Sequence, residues 1–176
     1  AVVEPRTGLS MGEHCELMVK EWKIDRKSQD ELALRSHLNS AAAYKDGFFT
    51  DLIMSYAGIE KDLIVRGDTT IEKLAKLKPA FDKSSAGTLT AGNSSPLTDG
   101  AASVLLSSAA GIKKNNWQAL AKVVDFEVAA VDFVHGAGLL MAPTVAVSNM
   151  LLRNKLTFKD IDFFEIHEAF AGQVLC

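Results

Sequence analysis

The sequence predicts an α/β fold, and residues 119–166 provide the main evidence. Residues 119–131 and 162–166 are rich in β-branched and aromatic side chains, a composition that favours strands. Between them, Pro143 stands where a proline fits the first turn of a helix that reaches Arg153. A strand, a helix and a second strand in this order predict one βαβ crossover with a parallel pair of strands.

The length and composition are those of a globular protein. The 176 residues suffice for one ordinary domain or two small ones. Hydrophobic residues make up 48% of the chain and charged residues 23%, which is typical of soluble proteins. The net charge of −3 comes without a basic stripe, so nucleic-acid binding has no support. No apolar run approaches the roughly 20 residues of a membrane span, and the N-terminus lacks the basic-then-apolar pattern of a signal segment.

The two cysteines, Cys15 and Cys176, lack the spacing of a metal site, so we expect no bound metal. They can in principle pair with each other. Two thiols in a chain of this length are not a disulfide framework, however, so a reducing compartment is the expectation. The chain begins with Ala1 instead of methionine and ends at Cys176 in a helix that has hardly begun. We therefore expect a piece of a longer protein.

Two amphipathic helices are predicted near the N-terminus. Apolar residues repeat at intervals of three and four over residues 11–23, and Ser10 precedes them as a candidate N-cap. Asp25 is the candidate N-cap of a second helix over residues 26–45, which Gly47 ends. Apolar stripes of this kind are far more typical of a protein core than of a cofactor pocket.

The middle of the chain predicts short elements joined by loops. Residues 48–56 have the composition of one strand, and the polar residues 57–70 predict an exposed loop. Residues 71–77 predict a short helix that ends before Pro79. Residues 101–106 form a continuous apolar run, which favours a strand buried on both faces.

Residues 82–100 are rich in Ser, Thr, Gly and Asn, and they support two interpretations. The composition resembles that of a flexible linker. Alternatively, Thr88-Leu89-Thr90 favours a strand-like backbone, and the small side chains around it let a ligand approach the main chain closely. Composition alone leaves both interpretations open.

His167 and Glu168 follow the apolar residues 162–166 and precede a helix predicted over residues 169–175. They therefore lie at a strand-to-helix junction, where a rigid scaffold can present a side chain to a cleft. A histidine there can act in catalysis, but it can equally cap the strand or hydrogen-bond a neighbour. A cysteine-hydrolase pair of His167 and Cys176 is disfavoured, because on a helix two residues nine positions apart would not face each other.

Four stretches follow one known family pattern in order and spacing. They are Ser10-Met11-Gly12 followed by Ser28-Gln29-Asp30; Lys76-Leu77-Lys78-Pro79-Ala80-Phe81; Gly87-Thr88-Leu89-Thr90-Ala91-Gly92-Asn93-Ser94-Ser95 with Thr98-Asp99-Gly100-Ala101-Ala102; and His167-Glu168-Ala169-Phe170-Ala171. With these motifs the sequence resembles the thiolases over residues 8–176. Within them it is most similar to the β-subunit of the trifunctional complexes of fatty-acid oxidation.

The resemblance implies a thiolase-like α/β fold layered α-β-α-β-α, in which two similar halves are joined and a loop domain is inserted into the first. By that pattern, residues 1–95 are the CoA-binding loop domain. Residues 96–117 end the amino-terminal half, and residues 118–176 begin the carboxy-terminal half. The βαβ unit predicted from the residues agrees with the last of these assignments.

The activity that the resemblance implies is that of an acetyl-CoA C-acyltransferase in fatty-acid β-oxidation. Thiolases cleave a 3-ketoacyl-CoA with a second CoA into acetyl-CoA and a shortened acyl-CoA, or run the reverse condensation to acetoacetyl-CoA. This chemistry needs a thiolate nucleophile, an acid and a base, and donors that stabilise thioester oxyanions.

The family's nucleophile and general base have no counterpart in the sequence. In the family, the nucleophilic cysteine lies upstream of the loop domain, and a Gly-His-Pro turn and a second catalytic cysteine lie downstream of the matched motifs. Cys15, Cys176 and His135 stand in other contexts. We therefore expect these residues alone to be inactive, and a non-catalytic CoA-binding or scaffolding fragment is the alternative.

His167 is the catalytic residue that the resemblance implies. It would help to form an oxyanion hole, directly or through a water, because a neutral histidine can donate a hydrogen bond there. Glu168 is expected to orient His167 or the local backbone. The residues that the resemblance places against CoA are Ser95 and Ala91 at the pantetheine arm, Met11 and Phe81 in the apolar lining, Ala169 and Phe170 near the reacting end, and Arg66 near the nucleotide.

The resemblance also implies partners and a location. CoA and acyl-CoA are substrates, and no further cofactor is expected. A homodimer or tetramer is expected, together with an α-subunit that carries hydratase and dehydrogenase activity. The expected location is the cytoplasm in a bacterium, or the mitochondrial matrix or inner-membrane surface in a eukaryote.

Overall fold

The fold was obtained as a computed structural model, which describes residues 3–136 and 138–176. Within these residues there are six α-helices and one 3-10 helix, and β-pairing is limited to four isolated bridges. The helices are α1 (Met11–Glu21), α2 (Arg26–Lys45), α3 (Ile71–Ala75), α4 (Ala109–Asn115), α5 (Ala142–Arg153) and α6 (Ala171–Leu175), with the 3-10 turn at Phe158–Asp160.

Helices α1 and α2 begin and end at signals in the local sequence. The Ser10 side chain accepts a hydrogen bond from the backbone of Glu13, whose carboxylate in turn accepts one from the backbone of Ser10. The Asp25 carboxylate caps α2 by accepting a hydrogen bond from the backbone N–H of Ser28. Gly47 follows α2 with a φ of +74°, a conformation that glycine adopts without strain. Both predicted helices and both predicted caps are therefore confirmed.

The other predicted helices also form, and one helix forms that was not predicted. The helices α3 and α6 lie within the residues predicted for them, and α5 begins one residue before Pro143 and ends at Arg153 as predicted. Helix α4 was missed, although local signals mark it. Ser108 caps its start by accepting a hydrogen bond from Gly111, and Asn116 ends it in the left-handed conformation at a φ of 52°.

The predicted strands are wrong for the described residues. The segments concerned are 48–56, 101–106, 119–131 and 162–166, none of which forms a strand ladder. Consequently the βαβ crossover has its helix but no paired strands. Burial of residues 101–106 on both faces is also wrong, because the Val104 side chain is 82% exposed. A helix satisfies its own backbone groups, whereas a strand requires a neighbouring strand to accept and donate its hydrogen bonds.

The described residues divide into two compact units. The first unit comprises Ala1–Ser95, Val131–Met141 and Phe164–Cys176. Its core is a cluster of Cys15, Val19, Leu89 and Phe170, and α6 packs against both α1 and α2. The first unit therefore brings the start of the chain, the loop after Gly87 and the last residues together. The assignment of residues 1–95, 96–117 and 118–176 to parts of a thiolase stays a prediction.

The second unit comprises Pro96–Ala130 and Ala142–Phe163. The ion pairs of this unit centre on Arg153, at the end of α5. The guanidinium lies 2.8 Å from the carboxylate of Asp125 and also binds Glu127. Leu151, on the same helix, is buried. Ion pairing by Arg153 thus joins α5 to residues 125 and 127 within this unit.

Within the described residues, no helix combines the length and the apolar composition needed to cross a membrane. In the same part of the chain, no three His, Cys, Asp or Glu side chains are grouped as ligands for a metal ion.

Candidate functional site

Phe81 and Phe170 form an aromatic contact beside the start of α1. Their ring centroids lie 5.9 Å apart and their planes are inclined by 77°, a favourable edge-to-face geometry. The backbone of Gly12 lies directly against the Phe81 ring, because a Cβ at Gly12 would come within 2.1 Å of a ring carbon. Met11 precedes Gly12 and is 47% exposed. Met11 and Phe81, which are predicted to line the apolar channel, therefore occupy one region of the first unit with Phe170, which is predicted to lie near the reacting end.

Residues 87–95 form a fixed loop. Leu89 and Thr90 are fully buried and Asn93 is 3% exposed, whereas a flexible linker would leave such residues in solvent. The linker interpretation of residues 82–100 is therefore wrong for this part. Ala91 and Ser95, the two loop residues predicted to meet the pantetheine arm, are exposed.

A buried carboxylate on α1 holds the start of this loop. Glu16 is 2% exposed, and its Oε1 accepts hydrogen bonds from the Thr88 N–H at 2.6 Å and the Thr88 hydroxyl at 2.8 Å. Its Oε2 accepts one from the Leu89 N–H at 3.0 Å. Gln29 on α2 donates to the same Thr88 hydroxyl oxygen at 3.0 Å. The sequence analysis missed Glu16, although helical spacing from Gly12 already places it on the buried face of α1.

The loop is bonded through its backbone to the residues that follow His167. The Ser95 N–H donates to the Ala169 carbonyl at 2.7 Å, and the Ala171 N–H donates to the Asn93 carbonyl at 2.9 Å. Between these bonds Ser94 and Phe170 form an antiparallel bridge. Ser95 is thus brought to Ala169 and Phe170, which lie more than seventy positions later in the sequence and are predicted to contact the same ligand.

His167 and Glu168 lie on the exposed side of this junction. The His167 carbonyl accepts a hydrogen bond from the Ala169 N–H at 3.0 Å, which forms a tight turn before Phe170. The Glu168 carboxylate accepts a hydrogen bond from the hydroxyl of Ser36 on α2. Glu168 therefore anchors the turn to α2, and His167 is exposed two residues before Ala169, whose backbone is bonded to Ser95.

Arg66 is exposed and lies against α2. Its backbone N–H donates to His37 Nδ1 at 3.2 Å, so that nitrogen carries a lone pair. Burial lowers the pKa of His37, and the Arg66 guanidinium lowers it further, while Asp62 and Glu168 act in the opposite direction. His37, which the sequence analysis did not single out, therefore lies beside Arg66, and burial and the nearby cation lower the pKa of its imidazole.

The two cysteines lie together in the core of the first unit, and both are free thiols. Cys15 is fully buried, and burial raises its pKa to about 12, with a smaller contribution from the nearby Cys176. Burial also raises the pKa of Cys176, which is partly buried. A thiolate is the nucleophilic form of cysteine, so neither residue is suited to nucleophilic catalysis near neutral pH.

Comparison with known families decides the classification. Residues 1–110 match the family model described as "Thiolase, N-terminal domain", and residues 117–176 match "Thiolase, C-terminal domain". The chain belongs to the thiolase family. The predicted family resemblance is therefore confirmed.

Curated thiolase relatives match nearly the whole chain. A 3-ketoacyl-CoA thiolase of Pseudoalteromonas translucida is 42% identical over 99% of this chain, and one of Yersinia enterocolitica is 40% identical over the same share. A probable 3-ketoacyl-CoA thiolase of Caenorhabditis elegans is 39% identical over 99% of the chain. The chain spans 41% of the length of the two bacterial thiolases and 40% of the nematode one.

Solved thiolase structures match the backbone. Human mitochondrial 3-ketoacyl-CoA thiolase superposes with a TM-score of 0.90 at 34% identity, covering 98% of this chain and 44% of that one. The acetyl-CoA acetyltransferase of Bacillus anthracis gives 0.88 at 38% identity, covering 98% and 45%. The thiolase-like α/β fold class is therefore confirmed, although the predicted strands are not paired within the described residues. The roles predicted for individual site residues stay predictions.

Proposed function

We propose that the full-length protein is a 3-ketoacyl-CoA thiolase, an acyltransferase that cleaves 3-ketoacyl-CoA with CoA in fatty-acid β-oxidation. The observation that carries this proposal is the backbone hydrogen bond between Ser95 and Ala169. It sets the predicted CoA-binding loop beside His167, so a thioester held by the loop would have an imidazole at its reacting end. The names of the relatives, which are 39–42% identical, support the same substrate class.

The proposed ligand contacts follow from the chemistry of CoA, which is long, flexible and polyanionic. The apolar surface of Met11, Phe81 and Phe170 suits the pantetheine and acyl chain, since ligand sites are mostly apolar with few polar groups. The exposed loop positions Ala91 and Ser95 suit the polar pantetheine arm. Arg66 suits the negative charge of the nucleotide, because a guanidinium binds phosphate in two-pronged fashion.

We assign to His167 the donation of a hydrogen bond to the oxyanion of the thioester. His167 is exposed, as a side chain that donates to a bound ligand has to be, and this supports the assignment. The nucleophile and the general base are assigned to parts of the protein outside this chain, as the family resemblance implies. The burial and raised pKa of Cys15 support this division.

We further propose that CoA acts as a substrate, with no additional cofactor. A homodimer or tetramer, and association with a hydratase and dehydrogenase α-subunit, are proposed from the resemblance to the β-subunits of trifunctional complexes. The proposed location is the cytoplasm of a bacterium, or the matrix or inner-membrane surface of a mitochondrion.

A CoA-binding or scaffolding fragment without catalysis is the second candidate. It is favoured by the state of the two thiols, since Cys15 is fully buried and the pKa of Cys176 is raised by burial. Mass spectrometry of the natural protein separates the candidates: an intact mass near 19.0 kDa supports the fragment, and one about twice as large supports the enzyme.

The catalytic proposal is tested with His167→Ala in the full-length protein. Loss of one oxyanion donor typically lowers kcat about 10²–10³-fold, and we expect a decrease in this range in the rate of thiolysis of a 3-ketoacyl-CoA. The measurement is steady-state disappearance of the 3-ketoacyl-CoA with CoA present. His135→Ala is the matched control, because His135 is also exposed but lies in the turn at residues 133–136. An unchanged rate in His167→Ala would exclude the oxyanion role.

A further inference from the structure

Asn93 is a buried amide in the middle of the loop, and its side chain is fully engaged. The residue is 3% exposed. Its Oδ1 accepts a hydrogen bond from the Thr90 N–H at 2.7 Å, and its Nδ2 donates to the Thr88 carbonyl at 3.2 Å. The same Nδ2 donates to Asp30 Oδ1 at 2.9 Å. The side chain therefore closes the loop on itself and joins it to α2.

Asp30 continues this network away from the loop. It lies on α2 and is 2% exposed, and its second oxygen accepts a hydrogen bond from Arg26 Nε at 2.7 Å. The Arg26 guanidinium also donates to the Leu74 carbonyl at the end of α3, at 2.8 Å. Both carboxylate oxygens of Asp30 are thus occupied, one by a cation and one by Asn93. A buried carboxylate satisfied in this way is a rigid point of attachment.

The backbone of Asn93 faces the opposite side of the site. Its carbonyl accepts the hydrogen bond from the Ala171 N–H at 2.9 Å, and two residues later Ser95 binds the Ala169 carbonyl. One residue therefore contacts α2 through its side chain and the residues after His167 through its main chain. Among the described residues of the loop, Asn93 alone is hydrogen-bonded both to α2 and to the segment after His167.

We propose that Asn93 is a positioning residue, and that its hydrogen bond to Asp30 sets the register between the CoA-binding loop and the segment after His167. This inference rests on the proposed function, since CoA and the thioester are the ligands of that loop. Displacement of Asn93 would move Ser95 and Ala91 relative to Ala169 and Phe170. Both halves of the ligand site would remain, but they would no longer fit one ligand.

Asparagine is required here because the position needs a donor and an acceptor at once. Aspartate has nearly the same shape, but it would set two carboxylates against each other and lose the donors to Thr88 and Asp30. The exchange of Asp30→Asn together with Asn93→Asp restores one amide and one carboxylate across the contact. In that pair the amide of residue 30 donates to the carboxylate of residue 93, which still accepts from the Thr90 N–H. The bond to the Thr88 carbonyl stays lost, so we expect the recovery to be partial.

The test is a cycle of Asn93→Asp, Asp30→Asn and the double exchange in the full-length protein. We expect each single variant to raise KM for CoA at least tenfold while kcat changes less than threefold. We expect the double exchange to recover at least half of the lost kcat/KM on a logarithmic scale. Asn39→Asp is the matched control, because Asn39 lies exposed on the same helix and should leave both constants unchanged.

Two results would overturn the proposal: wild-type KM in Asn93→Asp, or a double exchange no better than the worse single variant. If a single variant is insoluble, the proposal requires that the double exchange be soluble and active. An insoluble double exchange would therefore also overturn the proposal. An inactive wild-type protein would instead defeat the proposed thiolase function. Normal wild-type thiolysis with unaffected variants defeats only the positioning role.

Discussion

Two single residues show how closely the first unit is packed around the predicted ligand channel. Gly12 leaves room for the Phe81 ring against the backbone of α1, since any Cβ there would overlap the ring. Cys15, one turn further along α1, is fully enclosed. The close approach at Gly12 and the burial of Cys15 each have a consequence that can be measured.

Gly12→Ala should destabilise the full-length protein and weaken substrate binding together. The added methyl would displace the Phe81 ring, and overpacking of this kind typically costs about 1–3 kcal/mol. Urea unfolding gives the loss of stability, and KM for the acyl-CoA should rise because Phe81 lines the proposed channel. Gly100→Ala is the control, because nothing lies within 4 Å of a Cβ at Gly100. Equal effects of the two substitutions would show that the Phe81 contact is unimportant.

Because the Cys15 thiol is buried, the free energy of unfolding should decrease as the pH becomes alkaline. Burial raises the pKa of the folded thiol from 9.0 to about 12. Above about pH 9 the unfolded thiol ionises while the folded one stays protonated, so the thiol's contribution is complete below pH 9 and is lost as the pH rises towards 12.

The free energy of unfolding should therefore fall more steeply between pH 9 and 10.5 in the wild type than in Cys15→Ala. The additional slope for one proton is at most about 1.4 kcal/mol per pH unit. Urea unfolding of both proteins across this range is the measurement. The comparison concerns slopes, so the cavity left by alanine does not affect it. Parallel slopes would mean that the thiol is not protected from ionisation.

At the scale of elements, α1 and the loop at residues 87–95 are joined by a carboxylate and not by a strand pairing. Glu16 takes up two backbone N–H groups of the loop that would otherwise be buried without partners. The loop needs no regular secondary structure of its own, because α1 and α2 supply its hydrogen bonds. Helix α6 then packs on both helices directly after the predicted catalytic turn.

Glu16→Gln should loosen this loop without unfolding α1. The amide would set a donor against the N–H groups of Thr88 or Leu89, and loss of a buried hydrogen bond of this kind costs about 1–3 kcal/mol. Hydrogen exchange of the Thr88 and Leu89 amides should accelerate in the variant. Glu21→Gln is the control, because Glu21 ends the same helix in an exposed position. Unchanged exchange at both amides would contradict the anchoring role of Glu16.

At the scale of the whole molecule, the chain exposes much apolar surface. Large side chains with more than three quarters of their surface in solvent include Leu97, Val104, Leu120, Phe126, Val128 and Phe163. Most of them belong to the segments predicted as strands. Because exposed apolar patches of this extent mark contacts with other protein surface, these segments are the expected sites of association.

The isolated residues 1–176 should therefore aggregate or bind another chain. Unpaired extended segments with exposed Val and Phe side chains offer their backbone groups and apolar surface to other molecules. Size-exclusion chromatography with light scattering is the measurement, and full-length protein at the same concentration is the control. A soluble monomer that melts cooperatively would contradict this prediction.

The helices were predictable because their signals are local. Ser10, Asp25 and Gly47 act on residues within a few positions, so the hydrogen bonds that start and end α1 and α2 can be inferred from the sequence. The predicted strands failed because a strand depends on a partner that sequence periodicity does not identify. Among the candidate site residues, Phe81, Ser95 and Phe170 were available only through the family motifs.

The sequence by itself determined the α/β class, the positions of five helices and membership of the thiolase family. Tertiary structure alone decided that residues 87–95 form a fixed loop and not a linker. It also revealed Glu16, Asp30 and Asn93 as the groups that hold this loop. The physical reason is distance along the chain: Glu16 binds a residue 72 positions away, and Asp30 binds one 63 positions away. No local pattern specifies such partners, because only folding brings a buried carboxylate and the amide it requires together.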